Sequence, residues 1–264
     1  MILDLSSIRL IGMIHLLPLP GAPRFGGSRL AILEAAMRDA EALTAAGFDA
    51  LLVENYGDTP FAKDDAGRHV VAEMSVIASE LRRRFDVPLG VQVLRNDARA
   101  SLAIAAAAGA GFVRINVHTG AMVTDQGVIE GMAHDTLRFR QAIGAGDVSI
   151  FADVHVKHAV PLGSGSFEDA LNDTVQRGLA DAVIVSGSGT GMKTDPGRIR
   201  LAVERCDVPV YVGSGADIDS LPDLLPPAHG LIVRTSIKRG SATEAPVDAL
   251  RARSFAEEAR SRLV

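Results

Sequence analysis

The stretch V-S-I-F-A-D-V-H-V-K-H, residues 148–158, joins an apolar strand to three ionisable side chains. Its first half is β-branched and aromatic, which is typical of a buried strand. In its second half, strict alternation would bring Asp153, His155 and Lys157 to one face. An acid, an imidazole and an amine are costly to bury without partners. They either form ion pairs at a solvent-facing strand end or belong to a substrate pocket, and the rest of the chain favours the pocket.

Apolar runs of this kind alternate with amphipathic, Ala-rich and Arg-rich segments along the whole chain. The predicted strands are residues 10–17, 49–55, 88–94, 111–117, 148–158, 181–185, 208–212 and 230–234. The predicted helices are residues 28–46, 65–85, 98–108, 130–143 and 167–178, one that begins at Thr194-Asp195-Pro196, a short one after residue 217, and 246–263. A longer connection with short strands is predicted at 122–129.

Eight strand-plus-helix units in 264 residues have about 33 residues each, the length expected of a βα unit in a closed parallel sheet. No linker or change of composition divides the chain. We therefore predict an α/β protein with one domain over residues 1–264, a single (β/α)8 TIM barrel with a closed, parallel eight-stranded sheet. The alternative is an open doubly wound sheet, but regular units without an inserted domain favour closure.

Composition argues against several classes of partner. The chain has 27 basic and 32 acidic residues and no basic stripe, which argues against nucleic acid. Cys206 is the single cysteine, so no disulfide framework is expected and a reducing cytoplasm is the predicted location. A signal peptide and an apolar run of membrane-spanning length are both missing from the sequence, so no membrane partner is expected.

Polar residues gather where the predicted strands end, which is the rim that carries the active site in (β/α)8 barrels. The helix-to-strand turns at the opposite rim consist mainly of small and apolar residues, as at 45–48 and 107–111. The polar residues of the predicted site rim are His15, Glu54, Asn55, Gln92, Arg95, Arg114, Asn116, His118, Asp153, His155 and Lys157. The clustering of polar residues at one rim supports an active site more strongly than any single one of these residues does.

The predicted catalytic residues are Glu54, Asp153, His155 and Lys157. Glu54 or Asp153 would act as general base and His155 as acid, while Lys157 or Arg114 would stabilise an oxyanion. The predicted substrate-binding residues are His15, Asn55, Gln92, Arg114, Asn116 and His118. Two alternatives stay open, because His15 could be a structural histidine and Arg114 could simply neutralise Glu54 or Asp153 inside the barrel.

Glycine-rich loops after strands six to eight predict a phosphate site. In many barrels the loops after strands seven and eight bind phosphate through main-chain N–H groups. The predicted phosphate-binding residues are Ser186, Gly187, Gly213, Ser214, Gly215, Thr235 and Ser236. The loop from Ser186 to Gly191 would add a second anion contact or act as a lid, and it lacks the acidic partner of a dinucleotide fingerprint.

A divalent metal stays open, because Glu54, Asp153 and His155 are suitable ligands but show no decisive ligand spacing. No cofactor is predicted.

Several blocks together resemble the BtpA/SgcQ family of ribulose-phosphate-binding barrels. They are residues 9–27 (R-L-I-G-M-I-H-L-L-P-L-P-G-A-P-R-F-G-G), 49–61 (D-A-L-L-V-E-N-Y-G-D-T-P-F), 113–120 (V-R-I-N-V-H-T-G), 152–158 (A-D-V-H-V-K-H), 184–191 (I-V-S-G-S-G-T-G) and 210–215 (V-Y-V-G-S-G). The resemblance implies a barrel with phosphate at the seventh and eighth loops. It brings no agreed reaction and no set of catalytic residues, and it links the family both to sugar metabolism and to photosystem I accumulation.

These observations predict an enzyme that acts by general acid/base chemistry on a small phosphorylated sugar or a sugar-like or nucleoside-type metabolite. Isomerisation, lyase or aldol cleavage, and glycosidic hydrolysis all stay open. The alternative is a non-catalytic assembly or stability factor of the photosystem I biogenesis type. It would need an exposed apolar partner surface, for which the loop L-L-P-L-P-G-A-P at 16–23 is the candidate. A homo-oligomer also stays open, since barrels of this kind often pair.

Overall fold

A closed barrel of eight parallel strands forms the centre of the protein, which confirms the predicted fold. The computed structural model describes residues 3–163, 165–187 and 194–263. In chain order the strands are β1 (Leu10–His15), β2 (Ala50–Glu54), β3 (Leu89–Gln92), β4 (Phe112–Ile115), β5 (Ala121–Thr124), β6 (Gly127–Glu130), β7 (Ser149–Val154), β8 (Val160–Pro161), β9 (Ala182–Val185), β10 (Val210–Val212) and β11 (Gly230–Val233). The barrel order is β1-β11-β10-β9-β7-β4-β3-β2, and β2 pairs with β1 to close it.

Helices follow the barrel strands and cover the outside of the sheet. They are α1 (Arg29–Ala45), α2 (Arg68–Arg84), α3 (Ala98–Ala108), α4 (Ala133–Ala142), α5 (Phe167–Asn172), α6 (Pro196–Arg205), α7 (Leu221–Leu224) and α8 (Ala249–Arg260). A π-helical segment, Asp173–Arg177, continues α5. None of the helices within the described ranges is long and apolar enough to span a membrane.

Side-chain caps fix where several helices begin. Ser28 caps α1 by accepting a hydrogen bond from the Ala31 N–H, and Asp97 caps α3 in the same way. Asp195 caps α6 by accepting a hydrogen bond from the Gly197 N–H, with Pro196 in the first turn. A side-chain oxygen at this position satisfies an N–H group that has no partner inside the helix. The predicted cap at Asp195 and Pro196 is therefore confirmed.

A second, smaller sheet lies between barrel strands four and five and just after strand five. The hairpin of β5 and β6 pairs antiparallel, and β8 adds to it beside β5. Strands β5 and β6 match the short strands predicted in the 122–129 connection, whereas β8 was not predicted. The hairpin tip carries Asp125, which lines a cavity at the C-terminal end of the barrel. The small sheet thus contributes to the wall of the site.

Inward-facing residues divide the barrel interior into an apolar lower half and a polar upper half. In the lower half the rings of Phe112 and Phe151 lie 4.7 Å apart, and those of Phe151 and Tyr211 lie 5.0 Å apart. Two residues further along the same strands, Arg114 and Asp153 are buried in the upper half. Alternate residues of a strand face the same side, so the strands that insert rings below hold charged groups above.

The lower half is closely packed. A Cβ atom at Gly90 would lie 2.2 Å from the Phe112 ring, so only glycine leaves room for that ring. The Tyr211 hydroxyl donates a hydrogen bond to the Ile8 carbonyl over 2.9 Å and closes the bottom of the barrel. Outward-facing strand residues such as Val113 and Ile150 pack instead into the larger core under the helices. The upper half is thus built on a rigid apolar base.

Strict alternation stops at the end of β7, where the structure departs from the sequence prediction. Asp153 and Lys157 are both buried, whereas His155 is half-buried and has a φ of 54°. A positive φ in a non-glycine residue turns the chain out of its extended path. His155 therefore does not share a face with Asp153 and Lys157, and its predicted partnership with them is wrong.

Candidate active site

Two neighbouring cavities lie at the C-terminal end of the barrel and share one residue, Arg234. The central cavity has a volume of ≈ 360 Å³, and among the described residues it is lined by Glu54, Tyr56, Thr59, Phe61, Gln92, Leu94, Arg95, Arg114, Asn116, Asp125, Lys157, His158 and Arg234. The loop cavity has a volume of ≈ 160 Å³ and is lined by Ser214, Gly215, Ala216, Asp217, Ile232, Arg234, Thr235, Ser236 and Ser241. The Arg234 side chain therefore connects a polar chamber to the loops after β10 and β11.

Asp153 is the centre of a buried hydrogen-bond network beside the central cavity. Arg114 donates to it through Nε over 2.9 Å and through Nη2 over 2.8 Å. Asn116 Nδ2 donates over 2.9 Å, and Ser186 Oγ donates over 3.2 Å. Burial raises the pKa of Asp153, but the charge and hydrogen bonds of Arg114 outweigh burial and hold that pKa below its usual value.

Asp153 is consequently poorly arranged to be a general base. Its two oxygens already accept four hydrogen bonds, and it is held ionised by Arg114. The structure favours the alternative in which Arg114 neutralises a carboxylate inside the barrel. Asp153 in turn orients Arg114 and Asn116, which both line the central cavity.

Glu54 is the carboxylate that lines the central cavity itself, with 4% of the residue exposed. Its Oε1 lies 3.5 Å from His15 Nε2. The His15 ring stacks on Tyr56 at 4.3 Å, and its Nδ1 lies 3.2 Å from the Thr243 carbonyl oxygen. Because a carbonyl oxygen only accepts, Nδ1 carries a proton. Burial, together with Lys238 and Arg234, lowers the pKa of His15 well below its ordinary value.

A neutral His15 therefore turns its Nε2 lone pair toward Glu54. That nitrogen has no hydrogen-bond partner within the described residues. A proton between Nε2 and Oε1 would complete the contact. His15 lies behind Glu54 and lines neither cavity, so the geometry supports it as a positioning residue and not as a direct substrate ligand.

Lys157 extends into the same chamber from the segment after β7. The residue is 7% exposed, and its Nζ makes no hydrogen bond to any described residue. Burial, and then the positive charges of Arg234 and Arg114, lower the pKa of the Lys157 ammonium well below its ordinary value, against the opposing effect of Glu54 and Asp153. A lowered pKa favours the neutral amine, compared with an exposed lysine at the same pH.

Two further side chains define the wall of the central cavity. Arg95 donates to Asn116 Oδ1 over 3.1 Å and to the Lys157 carbonyl over 2.8 Å, which ties the ends of β3, β4 and β7 together. Gln92 lines the cavity, and its buried Oε1 has no hydrogen-bond partner among the described residues. An unpaired buried acceptor is costly. Gln92 is therefore suited to accept a hydrogen bond from a ligand hydroxyl.

The loop cavity is lined by main-chain groups that suit an anion. The N–H groups of Ser214, Gly215 and Ala216 donate to no acceptor within the described residues. Ser236 Oγ donates to the Ala216 carbonyl over 2.7 Å and joins the two loops. Of the predicted phosphate-binding residues, Ser214, Gly215, Thr235 and Ser236 line this cavity. Free N–H groups beside an arginine are a typical anion-binding arrangement.

Three other predicted phosphate-binding residues lie elsewhere. Gly213 donates its N–H to the Val185 carbonyl over 2.9 Å. Its lack of a side chain serves packing, because a Cβ there would lie 2.5 Å from Ile184. Ser186 donates to Asp153, and the Gly187 N–H donates to Ser214 Oγ over 2.8 Å. Their donors are already used, and none of the three is among the described residues that line either cavity. Residues 188–191 of the same predicted loop lie outside the described residues.

Asn55 is not in the position that its predicted substrate-binding role requires. Its amide nitrogen donates to Asp58 over 3.0 Å, and its amide oxygen accepts from the Leu94 N–H over 2.8 Å. Both amide groups are therefore used to hold loops together.

Two predicted histidines also lie away from the central cavity. His118 Nε2 lies 2.8 Å from the Gly178 carbonyl oxygen, below the rim. His155 packs edge-on against Phe167 of α5, with centroids 5.7 Å apart. Neither histidine lines either cavity.

The remaining predictions converge, but the metal ligands do not. Glu54, Lys157, Gln92, Arg114 and Asn116 all line the central cavity. The metal considered from the sequence would need Glu54, Asp153 and His155 together. Among the described residues no group of three or more His, Cys, Asp or Glu side chains is arranged to hold a metal ion.

Sequence reasoning missed several residues of the site. Arg234 is the most important, since it lines both cavities. The signal was present, because Arg234 is a single cation directly after the apolar run G-L-I-V of β11. The other missed residues that line the central cavity include Tyr56, Asp125 and His158. Arg95, which was predicted on the rim, lines this cavity as well.

Solved structures with the same architecture define the class of this fold. Thiamine phosphate pyrophosphorylase from Pyrococcus furiosus aligns with a TM-score of 0.61 and 16% identity, covering 98% of this chain and 99% of that one. A 3-hexulose-6-phosphate synthase aligns with a TM-score of 0.59 and 16% identity, covering 97% of this chain and 100% of that one. At such identities the likeness establishes the (β/α)8 fold.

Sequence similarity is much closer within one family. The sequence pattern of the BtpA family matches residues 7–261. An uncharacterized protein of Thermococcus kodakarensis is 49% identical over 98% of this chain and 97% of its own length. The photosystem I biogenesis protein BtpA of Synechocystis is 46% identical over 94% of this chain and 86% of its own length. The chain belongs to the BtpA family.

Proposed function

We propose that the protein is an enzyme that acts on a small phosphorylated sugar, or on a sugar-like or nucleoside-type metabolite, by general acid/base chemistry. The observation that carries this proposal is Arg234, which lines both the loop cavity and the central cavity. A phosphate bound in the loop cavity would be contacted by Arg234 and by the N–H groups of the Ser214 loop. The rest of the substrate would then extend over the strand ends toward Glu54 and Lys157.

The size and lining of the central cavity support a polyhydroxylated ligand. Its volume of ≈ 360 Å³ lies in the range of small-molecule sites. Gln92 offers an unpaired acceptor for a hydroxyl group, and Arg95 and Asn116 form a fixed polar wall. A phosphate held in the loop cavity would supply binding energy that orients the reacting carbon.

Within this proposal Glu54 is the group that moves a proton. It lines the cavity and is adjacent to His15, with which it can share a proton. Asp153 keeps Arg114 and Asn116 in position and takes no direct part. Proton transfer at a carbon next to a carbonyl, or at a glycosidic oxygen, would give isomerisation, lyase or aldol cleavage, or glycosidic hydrolysis.

The alternative of a non-catalytic assembly factor has less support. Its candidate partner surface was the apolar loop at 16–23, but Leu16 and Leu19 of that loop are buried, and Leu17 is partly exposed. The Leu19 N–H also donates to Asp58 over 2.8 Å, which fixes the loop against the barrel. A scaffold has no need for an unpaired amine and glutamine oxygen in a buried chamber.

Thermal unfolding in the presence of phosphorylated sugars and nucleotides tests the proposal. A ligand at 100 times its Kd is expected to raise the melting temperature by about 5 °C. Ser214→Asp should abolish this rise, because it puts a negative charge into the loop cavity. Ser79→Asp is the matched control, since Ser79 is exposed on α2 and forms no hydrogen bond within the described residues. The absence of any shift across such ligands would favour the assembly factor.

A further inference from the structure

Lys157 is an unusual lysine because it is a buried residue whose amine is hydrogen-bonded to none of the described residues. The residue is 7% exposed, and within the described residues no side chain or carbonyl accepts a hydrogen bond from Nζ. Buried ammonium groups are normally paired, because an unpaired charge in a low dielectric is strongly unfavourable. Since Lys157 lines the central cavity, the amine faces the space that a ligand would occupy.

The charges around Lys157 favour the neutral amine over the ammonium. Arg234 and Arg114 repel a further positive charge, and burial acts in the same direction. Glu54 and Asp153 oppose this effect, but Asp153 is already neutralised by its two hydrogen bonds with Arg114. A neutral lysine amine is a nucleophile, whereas an ammonium is not.

The groups that amine chemistry requires lie around the same cavity. Glu54 can give and take a proton, with His15 behind it. Gln92 can hold a hydroxyl next to a carbonyl. Arg234 leads to the loop cavity, where a phosphate would fix the carbonyl carbon relative to Nζ. No other described lysine has these surroundings, because Lys63 and Lys238 line neither cavity.

We propose that Lys157 forms an imine with the carbonyl carbon of a phosphorylated aldose or ketose, a step that rests on the proposed function. The Nζ lone pair forms a bond to the carbonyl carbon and yields a carbinolamine. Glu54 protonates the carbinolamine hydroxyl, which leaves as water, so amine and carbonyl become iminium and water. The iminium then accepts the electron pair of an adjacent C–H or C–C bond and becomes a neutral enamine. Glu54 takes the released proton, which comes from that C–H or, in C–C cleavage, from the hydroxyl of the fragment that departs as a carbonyl. Glu54 returns the proton to the enamine carbon and restores the iminium, and addition of water then frees the amine and the product carbonyl and returns a proton to Glu54.

Borohydride trapping tests this step without a known substrate. Pyridoxal phosphate carries both an aldehyde and a phosphate, and dihydroxyacetone phosphate and ribose 5-phosphate provide sugar carbonyls. The full-length protein is incubated with each compound at neutral pH, reduced with sodium borohydride, and analysed by intact mass and peptide mapping. The chain has four lysines, Lys63, Lys157, Lys193 and Lys238, so the modified residue is identified unambiguously.

We expect one adduct per chain, on Lys157, formed at least about tenfold faster than any adduct on exposed Lys63, because Lys63 lines neither cavity and gains nothing from a phosphate held in the loop cavity. Inorganic phosphate should slow the reaction by competing for the loop cavity. Lys157→Met should remove the adduct. Lys238→Met is the matched control, since Lys238 is 1% exposed and also buried near Arg234 yet lines neither cavity; it should leave labelling unchanged.

The result that overturns the imine is a folded protein labelled on Lys63, Lys193 or Lys238 but not on Lys157, or labelled equally in Lys157→Met. Thermal shifts separate this failure from that of the proposed function. If phosphorylated sugars stabilise both the original protein and Lys157→Met while no adduct forms, the imine is wrong and the phosphosugar site stands. If there is neither stabilisation nor an adduct, both proposals are wrong.

Discussion

The lower and upper halves of the barrel interior are built by the same strands but have opposite chemistry. On β4 the inward residues are Phe112 and then Arg114, and on β7 they are Phe151 and then Asp153. The lower residues bury aromatic surface, which is favourable by itself. The upper residues bury charge, which is tolerated because each charge has a designated partner or faces a cavity. Residues that stabilise the fold and residues that form the candidate site therefore lie only two positions apart on the same strands.

The sharpest test of this separation is Glu54→Gln in the upper half. Loss of a general base is expected to lower the reaction rate by about 10²–10⁴-fold. The measurement is the turnover of whichever phosphorylated compound stabilises the protein most. Binding of that compound should persist, because the amide has nearly the same shape. Full activity in the variant would remove Glu54 from the proton-transfer step.

Phe151→Ala tests the lower half. The ring is fully buried between Phe112 and Tyr211, so its removal should lower the free energy of unfolding by about 4 kcal/mol. Equilibrium unfolding in urea measures this loss. The outward-facing Leu250→Ala, on an exposed side chain of α8, is the control and should change little. A small effect of Phe151→Ala would mean that the lower half is loosely packed.

Arg114→Met breaks the charge balance of the upper half and should cost about 3 kcal/mol, because it leaves Asp153 buried without its cation. Without Arg114, burial raises the pKa of Asp153 above its unfolded value of 3.8. The variant therefore shows the full loss in free energy of unfolding at neutral pH. This loss becomes smaller as the pH falls through the raised pKa toward 3.8, because protonated Asp153 is less costly to bury.

A double variant checks this explanation. Arg114→Met with Asp153→Leu removes both charges, so it should recover most of the lost free energy of unfolding. Urea unfolding at several pH values measures both effects. Equal losses in the single and double variants would indicate that packing, and not the unpaired charge, causes the effect.

Lys157→Met should have the smallest effect and the opposite sign. Removal of a buried amine whose pKa is lowered is expected to stabilise the protein by about 1 kcal/mol at neutral pH. Because the folded-state pKa lies below the unfolded value of 10.5, the original protein gains stability as the pH rises toward 10.5. The advantage of the variant should therefore shrink over that range. The size of the effect depends on the charges that face Lys157, which belong to Arg234, Arg114, Glu54 and Asp153. A stability advantage of the variant that grows with pH would contradict a lowered pKa of Lys157.

Much of the site could be predicted from alternation along single strands. Glu54, Gln92, Arg114, Asn116 and Asp153 lie where a period of two puts them, because a strand admits only two faces. Prediction failed beyond the strand ends. His155 turns away through a positive φ. The Asn55 amide and the His118 Nε2 are hydrogen-bonded to other segments of the chain. Loop residues obey no fixed period, so their side-chain directions depend on hydrogen bonds to segments far along the chain.

The role of Arg234 shows what closure of the barrel adds. It follows β11 and is separated from Glu54 by most of the chain, yet β11 pairs with β1 and β1 pairs with β2. The sequence itself determined the eight strand-plus-helix units and the charged residues at inward-facing strand positions, since apolar periodicity and strand alternation are local properties. The tertiary structure decided which carboxylate is neutralised and which cation joins the two cavities. It also decided which amine has no hydrogen-bond partner among the described residues. Burial and distance set those properties, and both arise only when separate strands meet.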